Sequence, residues 1–138
     1  MTATLNDLRH WRFEIDFENI AWAIIDQEGK STNTLSTDSM TELERIVSYV
    51  EQAAREKKIR ALIFMSGKEN AFIAGADINE FDKLTREKDV EDVVRQGTGL
   101  FNRVEALPIP AIVGIHGHCL GGGLEFAMSC HYRIATRA

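Results

Sequence analysis

The stretch AIVGIHGHCLGGGLEFAMSCHYRIA, residues 111–135, predicts a strand, a glycine-rich loop, a helix and a second strand in direct succession. Residues 111–115 form a short apolar run of the kind found in parallel strands that are covered on both faces. Residues 124–130 have the pattern of a short helix, and residues 132–135 that of another strand. Strands that alternate with helices in this way predict an α/β layered fold with right-handed crossovers.

The N-terminal half of the chain extends this alternation. Phe13, Ile15 and Phe17 alternate with charged residues, which is typical of a strand with one solvated face. A more apolar strand follows, so residues 11–26 are predicted to form a hairpin. Residues 61–65 are another short apolar run and predict a further buried strand.

Apolar residues at three- and four-residue steps predict two longer helices, over residues 37–57 and 90–104. Ser39 and Glu42 have the spacing of a capping box in the first of them. Residues 66–77, which lie between the helices, are predicted to form a loop. No internal repeat or linker-like break interrupts the chain, so residues 1–138 are assigned to one domain.

Composition limits the class of protein. The chain has 138 residues, of which 44% are apolar and 27% charged, as expected for one soluble globular domain. The longest apolar run, residues 20–25, is far shorter than the ~20 residues of a membrane span. The N-terminus does not resemble a secretory signal, so we predict an intracellular protein. The net charge of −5 argues against a general nucleic-acid binder.

Two loops follow buried strands, at the edge of the sheet where ligands gather in α/β folds. In residues 71–79, Gly75 can place the N–H of Ala76 toward an open site. In the second loop, Gly121 and Gly122 precede a helix, and the N–H of Gly122 is predicted to point outward at the positive end of the helix dipole. Two backbone donors that converge from separate loops are what an oxyanion hole requires.

Glu125 is the candidate general acid/base for this pair of donors. It lies three residues after Gly122, so a helix places it on the same face, about one turn on. Simpler interpretations remain open, because a run of three glycines is more often a packing point or a turn, and a lone glutamate is more often a solvated helix residue. Neither a Walker loop nor a GxGxxG dinucleotide motif is present.

The histidines and cysteines do not predict a second kind of site. His116, His118 and His131 lack a carboxylate pair at metal-ligand spacing, so no metal site is predicted. Cys119 and Cys130 have no CxxC spacing and are predicted to be free thiols. Cys119 with the adjacent His118 as a base is disfavoured because neighbouring side chains seldom face one site, and a buried, inert thiol is expected instead.

FIAGADIN, residues 72–79, and GHCLGGGLE, residues 117–125, together resemble the two signature segments of the enoyl-CoA hydratase/isomerase, or crotonase, superfamily. The resemblance is closest to the hydratase portion of the α subunits of multifunctional fatty acid oxidation complexes, through NTL at residues 33–35 and SCHYRIAT at residues 129–136. It extends over about residues 11–136. It implies a crotonase-like (ClpP/crotonase) spiral of ββα units, and hydration of 2-trans-enoyl-CoA to 3-hydroxyacyl-CoA in β-oxidation.

The resemblance also implies roles for individual residues. The N–H groups of Ala76 and Gly122 would hold the thioester oxygen as it becomes an enolate, and Glu125 would be the first of two catalytic glutamates, which position and activate water. Residues 74–78 would border the adenine and pantetheine arm of CoA. The full set of expected substrate-binding residues is Ala74, Gly75, Ala76, Asp77, Ile78, Gly121 and Gly122.

The family's second glutamate lies on a later segment and has no counterpart in these 138 residues. The resemblance therefore implies the N-terminal part of a hydratase domain, truncated before its C-terminal part and inactive in isolation. It implies no cofactor for hydration, with acyl-CoA as the substrate and NAD only if the parent protein has a dehydrogenase portion. It further implies a thiolase subunit as partner, oligomer formation, and a bacterial-type cytoplasmic location. The alternatives are other acyl-CoA chemistry, such as isomerisation, hydrolysis or decarboxylation, and a non-catalytic folding or assembly segment.

Overall fold

The computed structural model describes residues 5–137. Within this range the strands are β1 (Trp11–Ile15), β2 (Ile20–Ile25), β3 (Ala61–Ser66), β4 (Ala71–Ile73), β5 (Ala111–Ile115), β6 (His118–Cys119) and β7 (Tyr132–Ala135). The helices are α1 (Thr37–Arg55), α2 (Ile78–Phe81), α3 (Glu87–Glu105) and α4 (Gly122–Ser129). The predicted α/β class and the predicted longer strands and helices are confirmed.

Five strands form the main sheet, in the order β1-β2-β3-β5-β7. β1 is antiparallel to β2, and β2, β3, β5 and β7 run parallel to one another. The carboxyl ends of the parallel strands therefore share one edge, and the loops that follow β3 and β5 both begin there.

The predicted hairpin is confirmed, but its first strand is shorter than the alternation suggested. β1 ends at Ile15, and Phe17 lies in the turn with 95% of its surface exposed. The Asp16 carboxylate accepts hydrogen bonds from the N–H groups of Glu18 and Ile20, at 2.9 and 3.0 Å. This local side-chain turn ends the strand before the apolar pattern does.

The capping box of α1 was assigned to the wrong residues. Ser36 is the N-cap, and its side chain and that of Ser39 bond reciprocally to each other's backbone N–H groups. The carboxylate of Glu42 instead accepts hydrogen bonds from the N–H groups of residues 9–11, at 2.9–3.2 Å. Glu42 therefore fastens the start of β1 to α1 rather than capping the helix.

Two short strands were missed in segments that were predicted as loops. β4 and β6 pair in parallel as a separate sheet, with Ala71 opposite His118 and Ile73 opposite Cys119. Strands of three and two residues are too short to show a period-two pattern, so the sequence carried no signal for them.

An aromatic cluster fixes α4 on the sheet. Phe126 is fully buried, and its ring centroid lies 4.8 Å from that of Phe64, 6.2 Å from that of Phe72 and 6.4 Å from that of Trp11. Burial of large aromatic rings is a main source of core stability. Because Phe126 adjoins Glu125, this packing also sets where Glu125 lies.

Glycine substitutions in two helices should have opposite effects on stability. A Cβ at Gly123 of α4 would lie 2.5 Å from the carbonyl oxygen of Ile73, so Gly123→Ala should lower the free energy of unfolding by about 1–3 kcal/mol. A Cβ at Gly99 of α3 would meet nothing within 4 Å, so Gly99→Ala should raise it by about 0.5–1 kcal/mol. Urea unfolding of both variants tests this, and a stable Gly123→Ala variant would contradict the close packing of α4 on β4.

Candidate active site

The β4–β6 pair brings the two predicted loops together. The N–H of Leu120 donates to the carbonyl of Ile73 at 3.0 Å, which continues the pairing toward the loop ends. Beyond it, a Cβ at Gly121 would lie 3.7 Å from the Cα of Gly75. Gly75 and Gly121 have φ values of 122° and 51°, a backbone region that favours glycine. Two backbones can therefore approach closely where the loops meet.

Leu35 fixes the direction of the Ala76 N–H. The N–H of Leu35 donates to the carbonyl of Gly75 at 2.8 Å, and the carbonyl of Leu35 accepts from the N–H of Asp77 at 3.4 Å. These two bonds bracket Ala76 in a parallel bridge. In such a bridge the bracketed residue's own N–H and C=O face away from the partner strand. The Ala76 N–H therefore points to the side opposite Leu35.

Gly122 is the first residue of α4, and its N–H is one of the donors that a helix start leaves without an intrahelical partner. Within residues 5–137, neither the Ala76 N–H nor the Gly122 N–H donates to a protein acceptor. Space around Gly122 is limited, since a Cβ there would lie 3.0 Å from Cδ1 of Leu35. Both groups are thus available to an oxygen atom of a bound molecule, and one of them lies at the positive end of a helix dipole.

One cleft of about 670 Å³ contains Ala76, Gly122 and Glu125 in its lining. The structure thus brings together the three residues that were predicted to be catalytic. Asp77 also lines this cleft, whereas the remaining predicted substrate-binding residues lie outside its lining: Ala74, Gly75, Ile78 and Gly121. Ala74 uses its N–H to donate to the carbonyl of Asn33.

Glu125 differs from the other acidic side chains of the cleft. Asp77 accepts a hydrogen bond from the N–H of Asn79, and Glu80 accepts from the N–H and hydroxyl of Thr37. Glu44 is paired with Arg103 at 2.9 Å. The Glu125 carboxylate is exposed and makes no hydrogen bond or ion pair to any residue in the range 5–137. Of these four carboxylates, Glu125 alone keeps its full capacity to bind a water or a substrate.

The pairing of Glu44 with Arg103 argues against a proton-transfer role for Glu44. The hydrogen bond from the Arg103 guanidinium holds the pKa of Glu44 below its usual value. Arg103 is shared with Glu51, at 2.7 Å, and that contact is the main cause of the raised pKa of Arg103. Of these three residues, Glu44 and Arg103 line the cleft, where their charges are paired with each other.

The apolar part of the cleft lining was not predicted from the sequence. It comes from α1, from α2 and the turn that follows it, and from α3. Its larger side chains are Met40, Phe81, Leu84, Val93, Val94 and Phe101. The apolar periodicity of α3 was visible in the sequence, but it predicted a buried helix face and did not reveal that part of this face borders a cleft.

The histidines and cysteines do not line the cleft. His131 accepts from the N–H of Ala111 and its other ring nitrogen lies 2.8 Å from the carbonyl of Glu105. Burial raises the pKa of Cys119, and it raises that of Cys130 to about 12, which disfavours thiolate chemistry at either. Cys119 is only half-buried, not fully buried as expected. In the described part of the chain, no three His, Cys, Asp or Glu residues are grouped as metal ligands would be.

Comparison with known proteins identifies the class. The family model described as enoyl-CoA hydratase/isomerase matches residues 19–138, so the chain belongs to the enoyl-CoA hydratase/isomerase family. A curated relative, the fatty acid oxidation complex subunit alpha of Idiomarina loihiensis, is 41% identical over 123 residues, which is 89% of this chain and 17% of the relative. The resemblance inferred from the two signature segments is confirmed.

Solved structures confirm the crotonase-like fold. An enoyl-CoA hydratase from Bacillus anthracis superposes with a TM-score of 0.82 and 30% identity, over 91% of this chain and 47% of that one. Pseudomonas aeruginosa DspI superposes with a TM-score of 0.82 and 26% identity, over 98% of this chain and 49% of that one. The chain therefore spans about half the length of these solved chains. No helix within residues 5–137 is long and apolar enough to cross a membrane.

Proposed function

We propose that the protein adds water to the double bond of a 2-trans-enoyl-CoA and forms a 3-hydroxyacyl-CoA. The observation that carries this proposal is the shared cleft. Two N–H groups, from Ala76 and Gly122, line it together with the carboxylate of Glu125, and within residues 5–137 none of the three has a hydrogen-bond partner. Membership of the enoyl-CoA hydratase/isomerase family supports the same reaction class.

The chemistry of hydration uses each of these groups. The Glu125 carboxylate accepts a proton from water while the water oxygen bonds to C3 of the enoyl thioester. The electron pair of the C2–C3 double bond moves toward the thioester carbonyl, whose oxygen becomes an enolate. The N–H groups of Ala76 and Gly122 stabilise that oxygen at the point where negative charge develops. Transfer to C2 of the proton that Glu125 took from the water restores the carbonyl, returns Glu125 to its carboxylate form and completes the addition of one water.

Two parts of the cleft lining suit the two parts of such a substrate. The apolar side chains of α2 and α3 offer a surface for the hydrocarbon chain, since burial of apolar area is favourable. The polar backbone at Ala76 and Gly122 then faces the thioester. The sequence-based assignment of residues 74–78 to the CoA arm belongs to this proposal.

The curated relative indicates the kind of complex in which this chain would act. That relative is named a subunit of a fatty acid oxidation complex, and we propose that this chain acts in the same type of complex, on acyl-CoA thioesters. A thiolase subunit as partner and an oligomeric parent protein remain predictions. Hydration as written moves no electrons to or from a cofactor, so NAD would serve only a separate dehydrogenase portion.

Incubation of the intact protein with crotonyl-CoA tests the proposed reaction. We expect a product that is heavier by one water, identified by mass spectrometry as 3-hydroxybutyryl-CoA. Release of free CoA would indicate a hydrolase instead. Conversion of a 3-enoyl-CoA to a 2-enoyl-CoA without hydration would indicate an isomerase, and no turnover of any of these thioesters would favour a non-catalytic segment.

A further inference from the structure

Asn33 is a fully buried polar residue next to the candidate site, in a motif that the proposed reaction does not use. Its side-chain nitrogen lies 2.8 Å from the carbonyl of Phe72, 2.9 Å from the hydroxyl of Ser66 and 3.2 Å from the carbonyl of Ile25. Its side-chain oxygen accepts from the N–H of Gln27 at 2.9 Å. One amide therefore joins the ends of β2 and β3 to β4.

The main chain at Asn33 extends these links to the loop that carries Ala76. The carbonyl of Asn33 accepts from the N–H of Ala74 at 2.9 Å. Two residues later, Leu35 makes the two bonds that bracket Ala76. The side chain of Asn33 thus holds β4, which leads into the loop, while its backbone and that of Leu35 hold the loop itself.

Ser66 strengthens the same connection. Its hydroxyl accepts from the Asn33 amide and donates to the carbonyl of Ala71 at 2.7 Å. Buried amides and hydroxyls of this kind are costly to leave unpaired, so the network has one well-defined arrangement. β4 is consequently fixed at Ala71 and at Phe72, before the chain reaches the loop.

We infer that Asn33 is a positioning residue for the oxyanion hole. It sets the place of the Ala76 N–H relative to the Gly122 N–H and touches no substrate, since it does not line the cleft. Donors contribute fully to rate only when they are aimed at the developing charge, and a displacement of about 1 Å can cost ~10²-fold in rate. This inference rests on the proposed function.

Asn33→Ala tests the inference in the intact protein. We expect kcat for crotonyl-CoA hydration to fall by about 10- to 100-fold, with KM changed by less than about threefold. The carbonyl stretching frequency of the bound thioester, measured by Raman difference spectroscopy, should move toward its value in free crotonyl-CoA. That frequency reports hydrogen bonding to the carbonyl oxygen in folded, liganded molecules, and a loss of stability alone does not move it.

Glu42→Gln is the matched control. Glu42 is also buried and its carboxylate accepts several backbone hydrogen bonds, but they lie at residues 9–11, and it does not line the cleft. The Glu42→Gln substitution should lower the stability of the protein and leave the carbonyl frequency of the bound thioester unchanged. If Asn33→Ala does not fold, Ser66→Ala can replace it, because it removes one partner of the Asn33 amide. It should shift the carbonyl frequency in the same direction, but by less.

The outcomes separate this inference from the proposed function. A wild-type protein that neither hydrates crotonyl-CoA nor shifts its carbonyl frequency contradicts the proposed function and the inference with it. A wild-type protein that does both, together with a folded Asn33→Ala or Ser66→Ala variant of unchanged frequency and kcat, overturns the inference alone.

Discussion

Replacement of Glu125 by glutamine should lower kcat for hydration of a 2-enoyl-CoA by ~10²–10⁴, the usual range for loss of general acid–base catalysis. Glutamine keeps the size and shape of the side chain but cannot take a proton from water. Glu125 is exposed in the cleft, and within the described residues its side chain makes no hydrogen bond or ion pair, while its backbone N–H, which the substitution keeps, donates to the carbonyl of Gly121. The variant should therefore fold normally and bind substrate with little change in KM.

Two neighbours on α4 provide controls for this variant. Leu124 is exposed outside the lining of the cleft, and Ser129 donates its hydroxyl to the carbonyl of Phe126. Leu124→Ala and Ser129→Ala should each change the rate far less than Glu125→Gln. Steady-state kinetics on the intact protein measure kcat for all three variants. Near-normal hydration by Glu125→Gln would show that the mechanism is wrong even though the fold is right.

Replacement of Ala76 by proline should cost ~10²–10³ in kcat, as found for removal of one oxyanion-hole donor. Proline has no backbone N–H, so the substitution deletes the proposed donor. The bonds that hold this segment use the carbonyl of Gly75 and the N–H of Asp77, and neither group is removed. The loss should therefore appear mainly in rate, with a weaker effect on the folded fraction.

Glu87→Pro is the matched control for a lost N–H. Glu87 is the first residue of α3, where a helix tolerates proline because that N–H has no intrahelical partner. The preceding residue, Arg86, has extended backbone angles that are compatible with a following proline. Glu87 does not line the cleft, so its variant should keep full activity. Equal rates for wild type and Ala76→Pro would exclude the Ala76 N–H from catalysis.

Much of the fold could be predicted because its longer elements carry clear periodic signals. The apolar run at β3 and the three- and four-residue spacing in α1 each predicted the observed element. The errors lie where local side chains decide the outcome. Asp16 ends β1 before Phe17, and Ser36 rather than Ser39 caps α1, because a hydrogen bond to one backbone N–H can move a boundary without changing the apolar pattern.

The candidate site was partly predictable for a different reason. Gly75 and Gly121 have positive φ values, and only a few residue types adopt such a backbone, so glycines in these loops were visible signals of tight geometry. Two features of the site could not be predicted from the sequence: the apolar lining that α3 contributes, and the bracketing of Ala76 by Leu35. Both depend on contacts between segments far apart in sequence, about which a local pattern carries no information.

A crystal structure of the intact protein with a bound 3-hydroxyacyl-CoA would test the central claim most directly. We predict that the thioester oxygen lies about 2.7–3.1 Å from the backbone nitrogens of both Ala76 and Gly122. The Glu125 carboxylate should lie within hydrogen-bond distance of the 3-hydroxyl group, which marks the position of the added water. A thioester that lies outside the cleft, or a carbonyl that turns away from both nitrogens with the 3-hydroxyl remote from Glu125, would contradict the assignment of this cleft as the hydratase site.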